Sequence, residues 1–253
     1  MKIIVHGYTG KLGAAICRAI QAREGFELAA GAAIDAAGAA FPTFNNILDC
    51  DVKAGVIIDA SSPKALGGLL QYALASGTPL VICTTGHSAA DESAIALAAE
   101  KIPILKSANM SYGVNLLASL LEKYAGQLFG AGFDVEIIEK HHNQKVDAPS
   151  GTALMFANAV KKSVLASSAL ELQNVYDRTG YSEKRRRAEL GLHSIRGGTI
   201  AGEHSILFAG QDETLEFTHA AASRDVLAAG ALNAAAFLAG KPTGFYTMRD
   251  LFS

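Results

Sequence analysis

In the first half of the chain, short apolar runs alternate with alanine-rich stretches in which apolar residues recur every three to four positions. The short runs predict buried strands, and the longer periodic stretches predict helices. The strands are KIIVHG, FELAAGAAID, GVIIDAS, PLVICTTG and IPILKSAN, and the helices are KLGAAICRAIQAR, PKALGGLLQYALASG and SAADESAIALAAEK. This alternation indicates an α/β fold with a doubly wound parallel sheet that is covered by helices on both faces.

The pattern changes after about residue 110. NMSYGVNLLASLLEKYAGQL predicts an amphipathic helix with Leu116, Leu117, Leu120 and Leu121 along one face. FDVEIIEKHH, AELGLHSIRGG, GEHSILFAG and ETLEFTHAAA follow, and they predict a second α+β domain with a mixed, mostly antiparallel sheet.

The alanine-rich helical pattern returns in RDVLAAGALNAAAFLAG near the end of the chain. We therefore expect a first domain over residues 1–111 and a second over residues 112–221. Residues 222–253 are expected to return to the first domain.

Composition and charge exclude several classes of protein. The chain is 50% hydrophobic and 18% charged, which is typical of a globular protein, and its net charge of -2 gives no general attraction to nucleic acid or to a membrane surface. No segment reaches the roughly 18 apolar residues that a membrane span requires. Cys17, Cys50 and Cys83 lie far apart with no CxxC pair, which favours a reducing cytoplasm.

A glycine-rich turn follows the first predicted strand. VHGYTGKLGAAI places Gly7, Gly10 and Gly13 between a strand and a helix, where the backbone can approach a pyrophosphate at a positively polarised helix N-terminus. Asp35 lies at the end of the second predicted strand, where an acidic residue binds the ribose hydroxyls of NAD. The glycines could instead serve only a tight turn, and Asp35 could be a solvated turn residue. Together the two features favour a Rossmann-like cofactor site.

Two neighbouring residues bear on the choice between NADH and NADPH. Residue 36 is alanine, so no arginine follows Asp35 to bind a 2'-phosphate, and this favours NADH. Lys11 in the glycine turn could nevertheless help to bind NADPH.

The stretch EKHHNQKVDAPSGTAL, residues 139–154, concentrates groups that can transfer protons. His141, His142 and Lys145 precede a predicted helix with Ser150 at or near its N-cap. The N–H groups of Gly151 and Thr152 would then lie at the positive end of that helix, as a carboxylate site requires. The combination suits an anionic substrate that must be protonated.

Other interpretations of this stretch remain open. A metal site is disfavoured, because adjacent strand residues point to opposite faces and there is no HExxH motif or nearby cysteine. His141 and His142 could also be a hydrogen-bonded structural pair at the end of a strand, with Lys145 exposed to solvent. Elsewhere, His193, His204 and His219 are expected to be structural or interfacial, and EKRRRAE is expected to be a solvated loop rather than a nucleic-acid patch.

The motif HHxxKxDAPSGTA resembles the signature of the 4-hydroxy-tetrahydrodipicolinate (dihydrodipicolinate) reductase family of lysine and diaminopimelate biosynthesis. The resemblance extends almost end to end, through GYTGKLG, DASSP, CTTGH, SANMSYGVN, IRGGTIAGEHSILFAG and HAAASRDVLAAGAL in that order. It implies reduction of a small cyclic dicarboxylate by hydride transfer from NADH or NADPH, and assembly into a homotetramer through the second domain.

The resemblance also implies roles for individual residues. His141 matches a proton donor or acceptor and Lys145 the proton donor, while His142, Gly151 and Thr152, with Ser150 at the same turn, match the binding site for the substrate carboxylates. The stretches that match the cofactor site are Gly7, Tyr8, Thr9, Gly10, Lys11, Leu12 and Gly13 for the pyrophosphate, Asp35 for the ribose, and Thr84, Thr85, Gly86, Ala108, Asn109, Met110 and Ser111 for the nicotinamide side.

Departures from the family pattern are few. His87 occupies a position that is commonly aromatic, and we expect it to have no role. Two other functions remain open. One is a different two-domain NAD(P)-dependent dehydrogenase, although no catalytic cysteine or tyrosine stands out, and the other is an NADH-sensing regulator, which would not need Lys145 and His141.

Overall fold

The computed structural model describes residues 1–36, 38–223 and 225–252, and the chain divides into two compact units. The first unit comprises Met1–Tyr112 together with the C-terminal stretch that follows Ser223, and the second is Gly113–Ser223. No helix within the described residues is both long enough and apolar enough to span a lipid bilayer.

The first unit is built on a seven-stranded sheet in which every pairing is parallel. In chain order its strands are β1 (Lys2–His6), β2 (Glu27–Ala32), β3 (Thr43–Phe44), β4 (Val56–Asp59), β5 (Leu80–Ile82), β6 (Pro103–Lys106) and, near the end of the chain, β12 (Gly244–Tyr246). Their order across the sheet is β12-β6-β5-β4-β1-β2-β3. The carboxyl ends of β1 and β4 are adjacent at the centre, where an open α/β sheet reverses its winding and binds ligands.

Four helices cover this sheet: α1 (Lys11–Ala22), α2 (Leu66–Ser76), α3 (Ala89–Ala99) and α6 (Asp225–Leu238). Residues of α1 and α6 share one apolar cluster with the sheet, and residues of α2 and α3 share another. Because both faces are covered, β4 and β5 are buried along their whole length, which explains their unbroken apolar sequences. The predicted doubly wound fold is confirmed.

The second unit packs two helices on one face of a five-stranded sheet. Its elements are α4 (Tyr112–Gly130), which begins at the boundary, β7 (Asp134–His141), α5 (Gly151–Ser168), β8 (Gln173–Val175), β9 (Glu189–Arg196), β10 (Glu203–Ala209) and β11 (Thr214–Ala220). The strand order is β11-β10-β7-β9-β8.

The sheet of the second unit is mixed, as predicted, but antiparallel pairs do not predominate. β10 pairs antiparallel with β7 and β11, whereas β9 pairs parallel with β7 and β8. The connection from β7 passes through α5 before the chain returns to the sheet, and a helical crossover of this kind joins parallel strands.

The leucines of α4 occupy two faces, so the prediction of a single face is wrong. Leu117 and Leu121 are buried in the core, whereas Leu116 and Leu120 remain 37% and 38% exposed. Residues four apart lie above one another on a helix, but neighbouring positions are rotated by about 100°. Two adjacent rows of leucine therefore need not share one environment.

The EKRRRAE stretch is a largely exposed loop, as its composition suggested, but its arginines also make specific contacts with distant residues. Arg185 donates to Glu136 at 2.9 Å and to Asp134 at 2.7 Å, although Glu136 lies 49 residues earlier in the chain. Arg187 donates to the Phe133 carbonyl at 2.7 Å, and its guanidinium lies 3.7 Å from the ring centroid of Phe129. These arginines hold the start of β7, and local sequence could not reveal such distant partners.

Candidate active site

The glycine turn in the first unit admits no side chain at two of its three glycines. Gly7 has φ +82°, and a Cβ there would lie 2.6 Å from the Ala60 carbonyl oxygen. A Cβ on Gly13 would lie 2.1 Å from the carbonyl oxygen of Gly7. The turn is therefore folded tightly onto the first residues of α1, and glycine is required there by steric contact alone.

A cavity of about 290 Å³ lies beside this turn. Asp35 lines it and accepts a hydrogen bond from the Thr9 hydroxyl at 2.7 Å. Because β2 ends at Ala32, Asp35 occupies a turn beyond the strand and not the strand end that the sequence suggested. The other lining residues are His6, Gly7, Gly10, Ala33, Ile34, Ala60, Ser61, Ser62 and Ala65.

Three further residues predicted to bind the cofactor, Tyr8, Lys11 and Leu12, lie in the glycine turn or directly after it. Tyr8 is buried, and its ring packs edge-on against Phe41 with the centroids 5.4 Å apart. Lys11 and Leu12 are the first residues of α1, so their N–H groups belong to the first turn of that helix.

His6 and Asp59 form a buried pair that sequence reasoning missed. They end the adjacent strands β1 and β4, and His6 Nδ1 lies 2.9 Å from Asp59 Oδ1. The same carboxylate oxygen accepts the Ser61 hydroxyl at 2.6 Å. His6 lines the 290 Å³ cavity, and its contact with Asp59 fixes its position there. The only sequence signal for the pair was the polar residue at the end of each apolar run.

A second cavity in the first unit, of about 310 Å³, contains the other predicted cofactor stretch. The residues that line it are Thr84, Thr85, Gly86, His87, Glu92, Lys106, Ser107, Ala108 and Phe245. In the described part of the chain, Thr84 Oγ1 and both ring nitrogens of His87 are buried without a hydrogen-bond partner. Buried polar atoms of this kind are groups that a ligand can satisfy.

Residues 109–111 follow Ala108, which lines this cavity, in the sequence. Met110 and Ser111 are buried, and Asn109 Oδ1 accepts the N–H of Ser111 at 2.8 Å. A Cβ on Gly230 would lie 1.7 Å from the Met110 carbonyl oxygen, so α6 packs directly against this backbone. Met110 and Ser111 therefore shape the stretch and do not line the cavity.

In the second unit, β7 ends at His141, the first of the two adjacent histidines of the motif. His141 is buried, and its Nδ1 lies 2.5 Å from Glu139 Oε2. His142 is half-buried, and its Nδ1 has no hydrogen-bond partner among the described residues. Lys145 follows on the loop and donates to Asp147 Oδ1 at 2.8 Å, and this hydrogen bond holds the pKa of Asp147 below its usual range.

Helix α5 begins where the sequence predicted. Ser150 is its N-cap and accepts the N–H of Ala153 at 3.1 Å, so this prediction is confirmed. Gly151 and Thr152 form the first turn. A Cβ on Gly151 would meet no atom within 4 Å, which leaves the approach to the helix N-terminus open on that side.

Two charged residues at this site were not predicted. Glu139 is 1% exposed and accepts two hydrogen bonds from the guanidinium of Arg196. Nη1 donates to Oε2 at 2.8 Å, and Nη2 donates to Oε1 at 2.7 Å. Glu139 could have been found, because strand residues two apart share a face and Glu139 is two residues before His141. The sequence signal for Arg196 was its place in the block IRGGTIAGEHSILFAG, but its contact with Glu139 follows from the register that pairs Arg196 with His141 across β7 and β9.

Burial and hydrogen bonding act in opposite directions on Glu139. Burial raises the pKa of its carboxyl, but hydrogen bonds from Arg196, Ser194 and His141 outweigh burial and hold the pKa at about 2. Glu139 is therefore an ionised carboxylate at neutral pH.

His204 lies beside these groups, in the structural setting expected for it. Its Nε2 is 3.0 Å from the Ser150 hydroxyl, and its ring packs edge-on against His141 and Phe156. Burial, followed by the charge of His141, lowers the pKa of His204 to about 4. A neutral imidazole thus supports the N-cap of α5.

Family models match both parts of the chain. Residues 1–110 match the model described as dihydrodipicolinate reductase, N-terminus, and residues 113–252 match dihydrodipicolinate reductase, C-terminus. The chain is 44% identical over 253 residues to the 4-hydroxy-tetrahydrodipicolinate reductase of Clostridium novyi (strain NT), covering 99% of this chain and 97% of that protein. It is 42% identical over 251 residues to the protein of that name from Caldanaerobacter subterraneus subsp. tengcongensis, covering 99% and 98%.

Solved structures share the fold. A dipicolinate-bound dihydrodipicolinate reductase from Paenisporosarcina sp. TG-14 superposes with a TM-score of 0.80 at 22% identity, covering 98% of this chain and 97% of that one. An amine dehydrogenase from Mycobacterium smegmatis gives a TM-score of 0.60 at 9% identity, covering 98% and 95%. The two-domain plan is therefore common to several dehydrogenases.

The low pKa of His204 predicts a specific loss of stability on mild acidification. Between about pH 6.5 and pH 4 the unfolded chain binds a proton at this residue and the folded chain does not, so the free energy of unfolding falls as the pH is lowered through that window. His204→Gln removes this component, because glutamine does not titrate. Urea unfolding of both proteins at several pH values from 8 to 5 measures the two slopes. Equal slopes would show that His204 accepts a proton in the folded protein.

Proposed function

The chain belongs to the dihydrodipicolinate reductase family, and we propose that it reduces 4-hydroxy-tetrahydrodipicolinate with NAD(P)H through the groups on residues 139–152. It is an oxidoreductase of lysine and diaminopimelate biosynthesis. The observation that carries the assignment of residues is the convergence of His141, Lys145 and the capped N-terminus of α5 at one loop. Relatives at 42–44% identity over nearly the whole chain disfavour both a different dehydrogenase and a sensor.

The N-terminus of α5 suits the substrate carboxylates. Gly151 and Thr152 present the first-turn N–H groups, which carry partial positive charge, and His142 adds a ring nitrogen that has no partner among the described residues. Ser150 acts indirectly, because its hydroxyl is already engaged by Ala153 and His204. We assign it the role of fixing the turn.

Lys145 is the proton donor in this proposal. The substrate loses its 4-hydroxyl group as water, and the reduced nicotinamide, when bound, would supply a hydride to the resulting conjugated system. The negative charge that develops at the ring nitrogen must then be neutralised by a proton. The ammonium of Lys145 donates to Asp147 in a side chain that is only 21% exposed, so it can transfer that hydrogen bond to a substrate placed at α5. His141 stabilises the developing charge or relays the proton.

The first unit fits a dinucleotide. The glycine turn lies beside the 290 Å³ cavity, where the N–H groups at the start of α1 suit a pyrophosphate, and Asp35 on the cavity wall suits ribose hydroxyls. Thr84 and His87 offer buried polar atoms to the nicotinamide side. We assign His87 to this wall, although the sequence suggested no role. With Asp35 followed by Ala36, NADH is the favoured cofactor.

We also propose a homotetramer that works in the cytoplasm. Both helices of the second unit pack on one face of its sheet, and the opposite face carries Ile138, Ile195 and Leu207 among charged residues. Such a face suits a symmetric contact between copies of the chain. The three cysteines are free and buried, which supports a reducing compartment.

Removal of the ammonium group should abolish chemistry but not cofactor binding. We expect Lys145→Ala to lower turnover by roughly 10²- to 10⁴-fold, the usual contribution of a general acid, with little change in NADH affinity. The substrate is generated in place from pyruvate and aspartate semialdehyde by its synthase, and NADH absorbance and fluorescence report turnover and binding. Lys162→Ala, which removes an exposed lysine of α5, is the matched control and should behave like the wild type. Equal losses of turnover and NADH affinity would contradict the role of Lys145.

The cofactor preference depends on the carboxylate of Asp35. We expect the wild type to prefer NADH, and Asp35→Ala to raise the ratio of kcat/KM for NADPH to that for NADH by about tenfold, because it removes repulsion of the 2'-phosphate. Steady-state kinetics with both cofactors measure the ratio. Lys11→Ala should move it in the opposite direction, and an unchanged ratio in both variants would place the discrimination elsewhere.

The tetramer predicts a solution mass four times that of the 26.3 kDa chain. Light scattering measures it directly. Leu207→Glu places a charge on the proposed contact face and should lower the mass, whereas a 26.3 kDa species for the wild type would refute the assembly.

A further inference from the structure

The carboxylate of Glu139 is surrounded by hydrogen-bond donors. Arg196 donates to both oxygens, and the N–H of Ser150 donates to Oε1 at 3.1 Å. Ser194 is a further hydrogen-bond donor, and His141 Nδ1 lies 2.5 Å from Oε2. A single buried group thus connects the end of β9, the start of α5 and the imidazole at the end of β7.

The ionisation of Glu139 determines which ring nitrogen of His141 carries a hydrogen. A carboxylate has no hydrogen to give, and the hydrogen bonds around Glu139 keep it ionised, with a pKa of about 2. The contact with Oε2 therefore requires His141 Nδ1 to be the donor. Nε2 is then the ring nitrogen that can gain or lose a proton.

The surroundings of the His141 ring agree with these separate roles for Nδ1 and Nε2. A Cβ on Gly202 would lie 3.1 Å from His141 Nε2, so glycine at this position leaves space beside that atom. Arg196 also donates to the Asp147 carbonyl at 2.6 Å, which fixes the loop that carries Lys145. The same arginine thus steadies both proposed proton-handling side chains.

We propose that Glu139, held by Arg196, is a positioning residue for the reduction: it keeps a hydrogen on His141 Nδ1 and orients the ring so that Nε2 exchanges the proton. This rests on the role proposed above for His141. Glu139 does not touch substrate in this proposal, and its effect on turnover passes entirely through His141.

The opposite face of β7 offers a matched comparison. There Glu136 accepts from Arg185 Nε at 2.9 Å and lies 2.8 Å from His193 Nε2. This second set also combines a glutamate of β7 with an arginine and a histidine, but none of its residues belongs to the proposed site. Glu136→Gln therefore controls for the loss of a β7 carboxylate.

A double-mutant cycle tests the proposal. Glu139→Gln keeps the size of the side chain, but its amide nitrogen cannot accept from Arg196 or His141, so the ring loses its fixed orientation. We expect Glu139→Gln to lower kcat roughly 10- to 100-fold, as loss of a carboxylate behind a functional histidine does elsewhere, with little change in KM or NADH affinity. In a His141→Ala background, Glu139→Gln should cause no further loss. Glu136→Gln should keep wild-type kinetics.

Several outcomes would overturn the proposal. An equal loss from Glu139→Gln with and without His141 would give Glu139 a purely structural role, and a loss confined to KM would assign it to the turn at Ser150. If His141→Ala keeps wild-type turnover, no histidine needs positioning, yet the reductase function stands. A wild type that binds both cofactors but oxidises neither would instead refute the proposed function.

A second variant covers the case in which Glu139→Gln does not fold. Arg196→Lys keeps the positive charge but cannot donate to both oxygens of Glu139, and we expect a smaller loss of kcat. This loss should shrink in the His141→Ala background, and the part that remains is the contribution through the loop of Lys145. Circular dichroism and NADH binding establish that each variant is folded. A loss of the same size with and without His141 overturns the proposal in the same way.

Discussion

The ion pair between the buried Glu139 and the partly buried Arg196 is the contact on which the second unit's site depends. Removing one partner of such a pair typically costs about 3–5 kcal/mol, because the other charge is left buried without compensation. Here the carboxylate avoids that penalty by accepting from Arg196, Ser150 and His141 together. The end of β7, the end of β9 and the start of α5 are therefore held in one arrangement, and the proposed proton and anion groups lie on those segments.

In the first unit, the shape of the candidate cofactor site depends mainly on close backbone packing. Its glycine turn folds so tightly that the carbonyl of Gly7 occupies the space in which a Cβ of Gly13 would lie. Below the turn, the buried pair of His6 and Asp59 ties together the ends of β1 and β4. The cavity at the centre of the sheet is thus formed by packing and hydrogen bonds between the protein's own groups.

Histidines illustrate how tertiary environment assigns different chemistry to one residue type. His141 faces an ionised carboxylate, His204 is buried against another imidazole and a phenyl ring, and His193 pairs with Glu136 on the other face of the sheet. The sequence assigned a proton-transfer role to the first alone, although His204 also lies in a block of the family resemblance. The neutral state of His204 follows from burial, which disfavours the charged form.

The sequence by itself determined the alternation of strands and helices in the first unit, the N-cap at Ser150 and the family, because these depend on local periodicity, on capping chemistry and on a long motif. It did not indicate the short strands β3, β8 and β12, which have two or three residues and no measurable period. The separate faces of Leu117 and Leu120, the partners of Arg185 and the contact of Arg196 with Glu139 were decided only by the tertiary structure. Those contacts join residues tens of positions apart, and strand register and helix packing, which local sequence does not encode, bring them together.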